Sequence, residues 1–213
     1  MELLSALFEF FKTIVKVMMS LWYAWVWTIP VIAITLYMKR PKVKGKRGEK
    51  SVSKALSSLP EDKYYLINDV LLKNNDSTTQ IDHILVSVYG IFVIETKNYQ
   101  GIISGSEKAY NWTQNIYGNK KSFKNPIHQN YGHIKAIESC LSGYGTLPIT
   151  SIIAFSDEAE LRVETVDSPV INRRNLLACI KSISIFEKIS EELVKEIVET
   201  IKQNNIMDTK KIK

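Results

Sequence analysis

The sequence predicts a mixed α/β domain, in which helices cover a sheet, preceded by one transmembrane helix. Two observations predict this arrangement. Residues 17–38 form an apolar run of 22 residues without a charge. After it, short apolar stretches typical of strands alternate with segments in which apolar residues recur every three or four positions, as in helices.

The apolar run of residues 17–38 predicts a membrane span, because at about 1.5 Å per residue it covers a hydrocarbon core of roughly 30 Å. Aromatic residues lie near both of its ends, as in interfacial belts: Trp22, Tyr23, Trp25, Trp27 and Tyr37. Pro30 would kink such a helix, which membrane helices tolerate. A cleaved signal peptide is a poorer fit, since the run is long and no small-residue cleavage site follows. A buried core helix is the remaining alternative.

The net charge of +6 resides in the amino-terminal segment. Residues 1–47 contain eight Lys or Arg and two Glu, so residues 48–213 carry 20 basic and 20 acidic side chains. The basic linker of residues 39–47, KRPKVKGKR, predicts that this side of the span is cytoplasmic, although contact with nucleic acid is an alternative. Residues 1–16 have helically spaced apolar residues and would extend the helix or lie on the membrane surface. We therefore expect a single-pass cell-membrane protein with a cytoplasmic carboxyl-terminal domain.

That domain begins with a predicted amphipathic helix, GEKSVSKALSSLP (residues 48–60), which Pro60 closes. The remaining predicted elements are strands at 64–72, 80–88 and 91–99, a second pair of short strands at 101–105 and 110–118, a helix at 125–141, strands at 149–157 and 168–171, and two helices within 175–204. The Asn125-Pro126 pair supplies a cap and a first-turn proline for the helix at 125–141. A polar loop is expected at 73–79.

Charged residues interrupt the two driest predicted strands, QIDHILVSV and IFVIETKNY. With Tyr89-Gly90 as the turn, Val88 faces Ile91, and this register places Asp82 opposite Lys97. Glu95 then lies diagonal to Asp82 and shares a strand face with Lys97. The hairpin is therefore predicted to gather two carboxylates and one ammonium, provided that the register does not slip by one residue.

Two neighbouring carboxylates can share a divalent cation, and oxygen ligands suit Mg²⁺ or Mn²⁺. A lysine beside them can orient a bound water and stabilise negative charge. The alternative is an ordinary cross-strand salt bridge between Asp82 and Lys97. The apolar flanks indicate a strand buried on both faces, where an unpaired charge is costly, and this favours the metal hypothesis.

The segment GEKSVSKALSSLP, the tract from IDHILVS through GIFVIETKNYQG, Trp112 and the run NPIHQN together resemble the nuclease-related domain (NERD) family. This family belongs to the PD-(D/E)XK nuclease-like superfamily. The resemblance covers roughly residues 44–155. Its pieces are specific as a set, although none is specific alone.

The resemblance implies a restriction-endonuclease-like mixed sheet flanked by helices, within residues 48–160, which residues 161–213 complete or flank. Matched position by position, it implies metal binding by Asp82 and Glu95, with Lys97, Glu49 and Gln129 as catalytic residues. The implied cofactor is Mg²⁺ or Mn²⁺. The implied reaction is hydrolysis of phosphodiester bonds in DNA or RNA, and DNA is the favoured substrate.

Other polar and aromatic residues have simpler interpretations. His83, His128 and His133 are expected to be packed or surface histidines rather than ligands, and His83 should face away from Asp82. Tyr110 and Trp112 are interpreted as packing residues, with base stacking as the alternative. The lysines Lys120, Lys121 and Lys124 are expected in a solvated loop, with phosphate contact as the alternative.

Two functional hypotheses remain open, besides a structural membrane protein with an ion-paired hairpin. The first is a membrane-tethered nuclease, favoured by the intact set of Asp82, Glu95 and Lys97. The second is a non-catalytic module of the same fold that binds nucleic acid or protein. The neutral charge of residues 48–213 favours the second, because nucleic-acid binders usually have a basic surface.

Overall fold

In a computed structural model, which describes residues 2–38, 41–74 and 77–207, the amino-terminal apolar run lies within one helix, α1 (Glu2–Met38). The helix bends by 42° between Glu2–Trp22 and Val26–Met38. Among the described residues, no single helix is long and apolar enough to cross a membrane, whereas these two segments together are, by length and composition alone. The transmembrane helix predicted at residues 17–38 is therefore not confirmed and stays a prediction.

The chain divides into two units, Met1–Lys44 and Gly45–Lys213. The elements that follow α1 are α2 (Pro41–Leu56), β1 (Tyr64–Asn74), β2 (Ser77–Ser87), β3 (Gly90–Lys97), β4 (Gly101–Ser106), β5 (Asn111–Ile116), β6 (Asn119–Lys124), α3 (Pro126–Cys140), β7 (Ile149–Phe155), β8 (Ala159–Glu164), β9 (Val170–Asn172), α4 (Leu176–Ile183) and α5 (Glu191–Asn204). Helix α2 starts earlier than predicted. The described part of the predicted basic linker is thus helical, and its lysines and arginine are good helix formers.

The principal sheet has the order β1-β2-β3-β7-β9. Strands β1, β2 and β3 form an antiparallel meander, while β7 runs parallel to β3 and β9 runs parallel to β7. Apolar side chains of α3 and α5 pack on one face, and those of α2 and α4 pack on the other. The predicted α/β class, with a mixed sheet flanked by helices, is confirmed.

A second sheet has the strand order β6-β5-β4-β8. Its residue Trp112 packs in an apolar cluster that includes Phe155 of β7. The Trp112 ring is fully buried and stacks on Phe155 with 6.2 Å between ring centroids. Its Nε1 donates a hydrogen bond to the carbonyl oxygen of Ser106 at 2.9 Å. Packing is therefore the role that the structure gives to Trp112. Two strands of this sheet, β6 and β8, are absent from the sequence prediction.

The predicted register of the β2–β3 hairpin is wrong by two residues. Ser87 pairs with Gly90 and His83 with Ile94, so continuation of the ladder brings Asp82 level with Glu95, not with Lys97. Gly90 begins the strand instead of forming the turn: its φ is +133°, and an added Cβ would lie 2.8 Å from the carbonyl oxygen of Pro148. Because the shift is even, every side chain keeps its predicted face.

Candidate functional site

The side chain of Asp82 is hydrogen-bonded to strand β3 at the point where the pairing of β2 with β3 ends. The paired residues stop at His83 and Ile94. Beyond them, the backbone N–H of Thr96 donates a hydrogen bond to Oδ2 of Asp82 at 2.9 Å. The carboxylate of Asp82 thus takes the place of a backbone acceptor and is held beside Glu95.

Glu95, Lys97 and Gln129 form a closed hydrogen-bonded triangle. Nζ of Lys97 lies 2.7 Å from Oε1 of Glu95 and donates to Oε1 of Gln129 at 2.9 Å. Nε2 of Gln129 donates to the same Oε1 of Glu95 at 2.8 Å. The ion pair of Lys97 is therefore with Glu95, and not with Asp82 as in the salt-bridge alternative. The structure brings these three predicted site residues together.

Helix α3 delivers Gln129 because its start and its packing are fixed. The side chain of Asn125 caps the helix by accepting from the N–H of Ile127 at 2.9 Å, and Pro126 follows, as predicted. One turn later, Nδ2 of Asn130 donates to the carbonyl oxygen of Val93 at 2.9 Å and to Oγ of Ser151 at 2.8 Å. Asn130 therefore ties α3 to both central parallel strands.

Glu49 reaches the neighbourhood of the site from α2. Gly48 allows this approach, since a Cβ there would lie 2.8 Å from Cβ of Asn98, next to the end of β3. Burial raises the pKa of Glu49, and the charges of Asp82 and Asp69 raise it further. The predicted supporting carboxylate is thus electrostatically coupled to Asp82.

The ionised forms of the two central carboxylates are both disfavoured. Burial raises the pKa of Asp82 to about 7, the charge of Glu95 adds to the rise, and the bond from Thr96 opposes it. Burial also raises the pKa of Glu95, which is 2% exposed, while the ammonium of Lys97 opposes that rise. Such an excess of buried negative charge is what a cation would relieve.

The donor set fits Mg²⁺ or Mn²⁺ better than a metal that needs an all-protein cage. Within the described ranges, no group of three or more His, Cys, Asp or Glu side chains is arranged to hold a metal ion. Mg²⁺, however, is commonly held by one or two carboxylates and completes its shell with water and substrate phosphate. Oε2 of Glu95 is buried without a hydrogen-bond partner, and the bond from Thr96 engages only one oxygen of Asp82. Both carboxylates can therefore offer an oxygen.

His133 is closer to the site than the sequence analysis expects. It is buried, as one expected alternative had it, yet its Nδ1 lies 3.5 Å from Oε2 of Glu95. Neither atom makes a hydrogen bond, so this contact between His133 and Glu95 is not a hydrogen bond. Burial lowers the pKa of His133 to about 4, with a contribution from Lys97, so the imidazole is neutral at pH 7. The sequence feature that could have identified His133 is its spacing of four residues from Gln129, which places both side chains on one helix face.

Asp69 is a second residue that the sequence analysis missed. The β1–β2 register places it level with Asp82, and its φ of +54° interrupts the ladder there. Its charge contributes to the raised pKa values of Asp82 and Glu49. Asp69 is exposed, and Nε2 of Gln80 donates to its Oδ1 at 3.3 Å.

The remaining candidates lie apart from this cluster. His83 is buried with its Nδ1 2.7 Å from Oδ1 of Asn68, and it belongs to the sheet face opposite Asp82, as predicted. His128 is exposed on α3. The lysines Lys120, Lys121 and Lys124 are exposed, but they lie on strand β6 and not in a loop.

Comparisons with known proteins give one family and one relative of this chain. The family described as nuclease-related domain, NERD, matches residues 44–156, a range that contains all five predicted site residues. A Bacillus anthracis protein, described as uncharacterized, is 45% identical over 172 residues, which are 79% of this chain and 80% of that protein.

Proposed function

Because the chain belongs to the nuclease-related domain family, we propose that it is a membrane-anchored, metal-dependent nuclease that hydrolyses phosphodiester bonds at the cytoplasmic face. The proposed substrate is nucleic acid, DNA in preference to RNA, and the proposed fold type is that of the PD-(D/E)XK nucleases. The observation that carries the proposal is the convergence of Asp82, Glu95, Lys97 and Gln129 at the end of β3.

In this proposal Asp82 and Glu95 hold one divalent cation through the oxygens that their hydrogen bonds leave available. Bound there, Mg²⁺ or Mn²⁺ would polarise the scissile phosphate and make a water molecule more acidic. The raised pKa values of both carboxylates support a site that is poised for a cation.

Lys97 is proposed to orient the attacking water and to stabilise negative charge on the phosphate. Its ammonium is confined by Oε1 of Glu95 and Oε1 of Gln129, so little reorganisation is needed. Gln129 would act through this confinement of Lys97. Glu49, whose pKa the charges of Asp82 and Asp69 raise, would orient a water molecule or accept a proton near Asp82.

The anchor is proposed to consist of residues 17–38. Its support is the uncharged apolar run, the aromatic residues near both ends and the exposed apolar side chains along α1. The lysines and arginines of residues 39–47 support a cytoplasmic location for residues 48–213. A reporter fused after Lys213 should be found in the cytoplasm, and a reporter found outside would refute this topology.

A cleavage assay tests the nuclease directly. The full chain in detergent micelles is incubated with labelled single-stranded and duplex DNA and RNA, with Mg²⁺, with Mn²⁺ or with EDTA. Cleavage is expected with metal only, and Asp82→Ala and Lys97→Ala should each reduce its rate by about 100-fold or more. His128→Ala, which changes an exposed residue of the same helix as Gln129, should keep the rate. Absence of metal-dependent cleavage above the two variants, on all four substrates, rejects the nuclease.

The second candidate is a non-catalytic module that binds nucleic acid or protein. The balanced charge of residues 48–213 favours it, since most nucleic-acid-binding surfaces are strongly basic. In the same assay it predicts retained binding without cleavage.

A further inference from the structure

An open groove of about 540 Å³ lies between two segments of the second sheet. One wall is Gln100–Ile102, at the start of β4. The other is Asn115–Gly118, which contains the turn from β5 to β6, and Glu158 lies on the remaining side. We call this feature the turn groove.

Tyr117 occupies an unusual position at the rim of the turn groove. Its side chain is fully exposed, and its φ is +49°. Together with Gly118, whose φ is +87°, it forms a two-residue hairpin turn closed by the Ile116–Asn119 pair. Such turns normally take Asn, Asp or Gly at their first position, because a bulky side chain is strained there. An exposed ring on a strained backbone favours a functional role over packing.

The turn groove continues from the candidate site along the chain. Gln100 is the third residue after Lys97, so the groove begins within about 10 Å of the lysine backbone. Nε2 of Gln114 donates to the carbonyl oxygen of Gln100 at 2.8 Å and fixes one wall. Gly101, with a φ of +77°, lets the chain pass close to the carbonyl of Asn115. A strand cleaved at Lys97 would therefore need only a few nucleotides to reach the groove.

Charge is segregated across the second sheet. Strand β6 begins at the turn and carries the exposed lysines Lys120, Lys121 and Lys124, and it ends next to the start of α3, which bears Gln129. Residues 101–124 contain four lysines and one glutamate, although residues 48–213 as a whole are neutral. On the opposite side the groove ends at Glu158. A polyanion would therefore lie on the β6 side, with its bases directed away from the lysines.

We propose that the turn groove binds an unpaired DNA strand next to the scissile phosphate, with Tyr117 stacking on a base and with Lys120 and Lys124, which share one face of β6, contacting the backbone. This inference rests on the proposed nuclease function and adds to it a preference for single-stranded DNA. A tyrosine ring stacks on any base, so the contact would be tolerant of sequence. The same lysines also protect β6 as an edge strand, but that role does not require Tyr117.

The test measures binding separately from cleavage. The full chain with Asp82→Asn, in detergent micelles with Mg²⁺, is titrated into fluorescein-labelled single-stranded DNA and blunt duplex DNA of equal length, and anisotropy gives Kd. Adding Tyr117→Asn, which suits a left-handed turn but lacks the ring, should weaken single-strand binding about tenfold. Adding Tyr117→Phe should change Kd less than twofold. Tyr110→Ala, a second exposed tyrosine outside the groove, should leave Kd unchanged.

Salt dependence tests the lysines. Lys120→Ala with Lys124→Ala should lower the slope of log Kd against log salt by about 1.4, since each phosphate contact to a single strand contributes about 0.7. The matched pair Lys181→Ala with Lys195→Ala, on the exposed faces of α4 and α5, should not change the slope. An equal decrease in slope for both pairs of lysines would show that they attract DNA only through the net charge of the protein, and it would overturn the proposal.

The outcomes separate the groove from the nuclease. If the unaltered chain cleaves nucleic acid and Tyr117→Asn does not change Kd, the proposal that the turn groove binds DNA is rejected and the proposed nuclease activity is retained. Loss of binding for Tyr117→Asn without cleavage by the unaltered chain supports the groove and rejects the nuclease. Equal sensitivity of duplex and single-strand binding to Tyr117→Asn overturns the preference for unpaired DNA.

Discussion

At the residue scale, Glu95 is the most enclosed group of the candidate site. Gln129 and Lys97 hold its Oε1, while the neutral ring of His133 stands beside its unpartnered Oε2. The carboxylates and Lys97 could be predicted from sequence, because a charge in a strand with apolar flanks is conspicuous. His133 and Asp69 could not be predicted from single positions, because their relevance depends on a helix face and on the β1–β2 register.

Replacement of His133 should weaken metal binding without unfolding the site. Nδ1 of His133 lies 3.5 Å from the Glu95 oxygen that is proposed to bind the cation, and loss of a group that supports a metal ligand commonly costs 10–100-fold in metal affinity. We expect His133→Gln to reduce Mn²⁺ affinity about tenfold, as measured by calorimetry. His128→Gln, five residues earlier on α3 and exposed, is the control. Equal affinities for the two variants would contradict a role for His133.

Asp82 should make the metal-free protein less stable as the pH rises. Its pKa is about 7 in the folded chain and near 3.8 when unfolded, so the folded state favours the protonated carboxyl. The contribution of this protonated carboxyl to the free energy of unfolding is fully present below pH 4 and is lost as the pH rises through 7. The two pKa values differ by about three units, and each unit corresponds to ~1.4 kcal/mol. The free energy of unfolding should therefore fall by at most ~4 kcal/mol.

Asp82→Asn cannot lose a proton, although it can still accept the bond from Thr96. In EDTA its Tm should therefore exceed that of the unaltered chain at pH 8, and the two should approach each other at pH 4. Addition of Mg²⁺ at pH 8 should raise the Tm of the unaltered chain and leave that of the variant nearly unchanged. A constant difference across this pH range would show that Asp82 is not buried as described.

At the element scale, the limits of sequence prediction follow from edges and turns. Helix α3 was predictable from Asn125-Pro126, and both features are present at its start. Strand β6, NKKSFK, has only Phe123 partly buried, so no alternation marks it as a strand. Strand β8, AELRVE, does alternate and could have been found. The hairpin register was missed because Gly90 serves close approach to Pro148 and not the turn.

Two glycines of α2 should respond oppositely to alanine. At Gly48 a Cβ would lie 2.8 Å from Cβ of Asn98, so Gly48→Ala must push α2 away from β3 and should destabilise the domain by about 1–3 kcal/mol. At Gly45 the nearest atom, Oε1 of Glu49, would be 3.7 Å away. Gly45→Ala should therefore stabilise α2 by up to about 1 kcal/mol. Urea denaturation in detergent would measure both, and equal effects would contradict the close helix–strand contact.

At the scale of the whole molecule, the charge and the apolar surface are divided between two regions. The basic excess and most of the exposed large apolar side chains of the described residues lie before residue 48, whereas residues 48–213 are neutral and contain the three apolar cores. Composition alone predicts this division. What composition cannot predict is whether the bent helix α1 crosses a bilayer, because length and apolarity are necessary for a span but do not determine its path.

A charge in the proposed anchor should release the protein from membranes. Arginine near the centre of a span costs about 2.5–3.5 kcal/mol, so Val26→Arg together with Ile29→Arg should move the chain into the soluble fraction after carbonate extraction. Leu3→Arg together with Leu4→Arg lies outside residues 17–38 and should leave the chain in the pellet. Soluble behaviour of the unaltered chain would refute the anchor.

The order of the strands also bears on the order of folding. Strands β1, β2 and β3 are consecutive and joined by short connections, whereas β7 pairs with β3 only after the chain has passed through the second sheet and α3. Loop-closure entropy therefore favours early formation of the meander and late docking of β7 and α3. During synthesis, Asp82 and Glu95 would meet before Gln129 and His133 have emerged. The nascent chain would thus display its acidic pair to solvent first, and enclosure of Glu95 would be among the last events of folding.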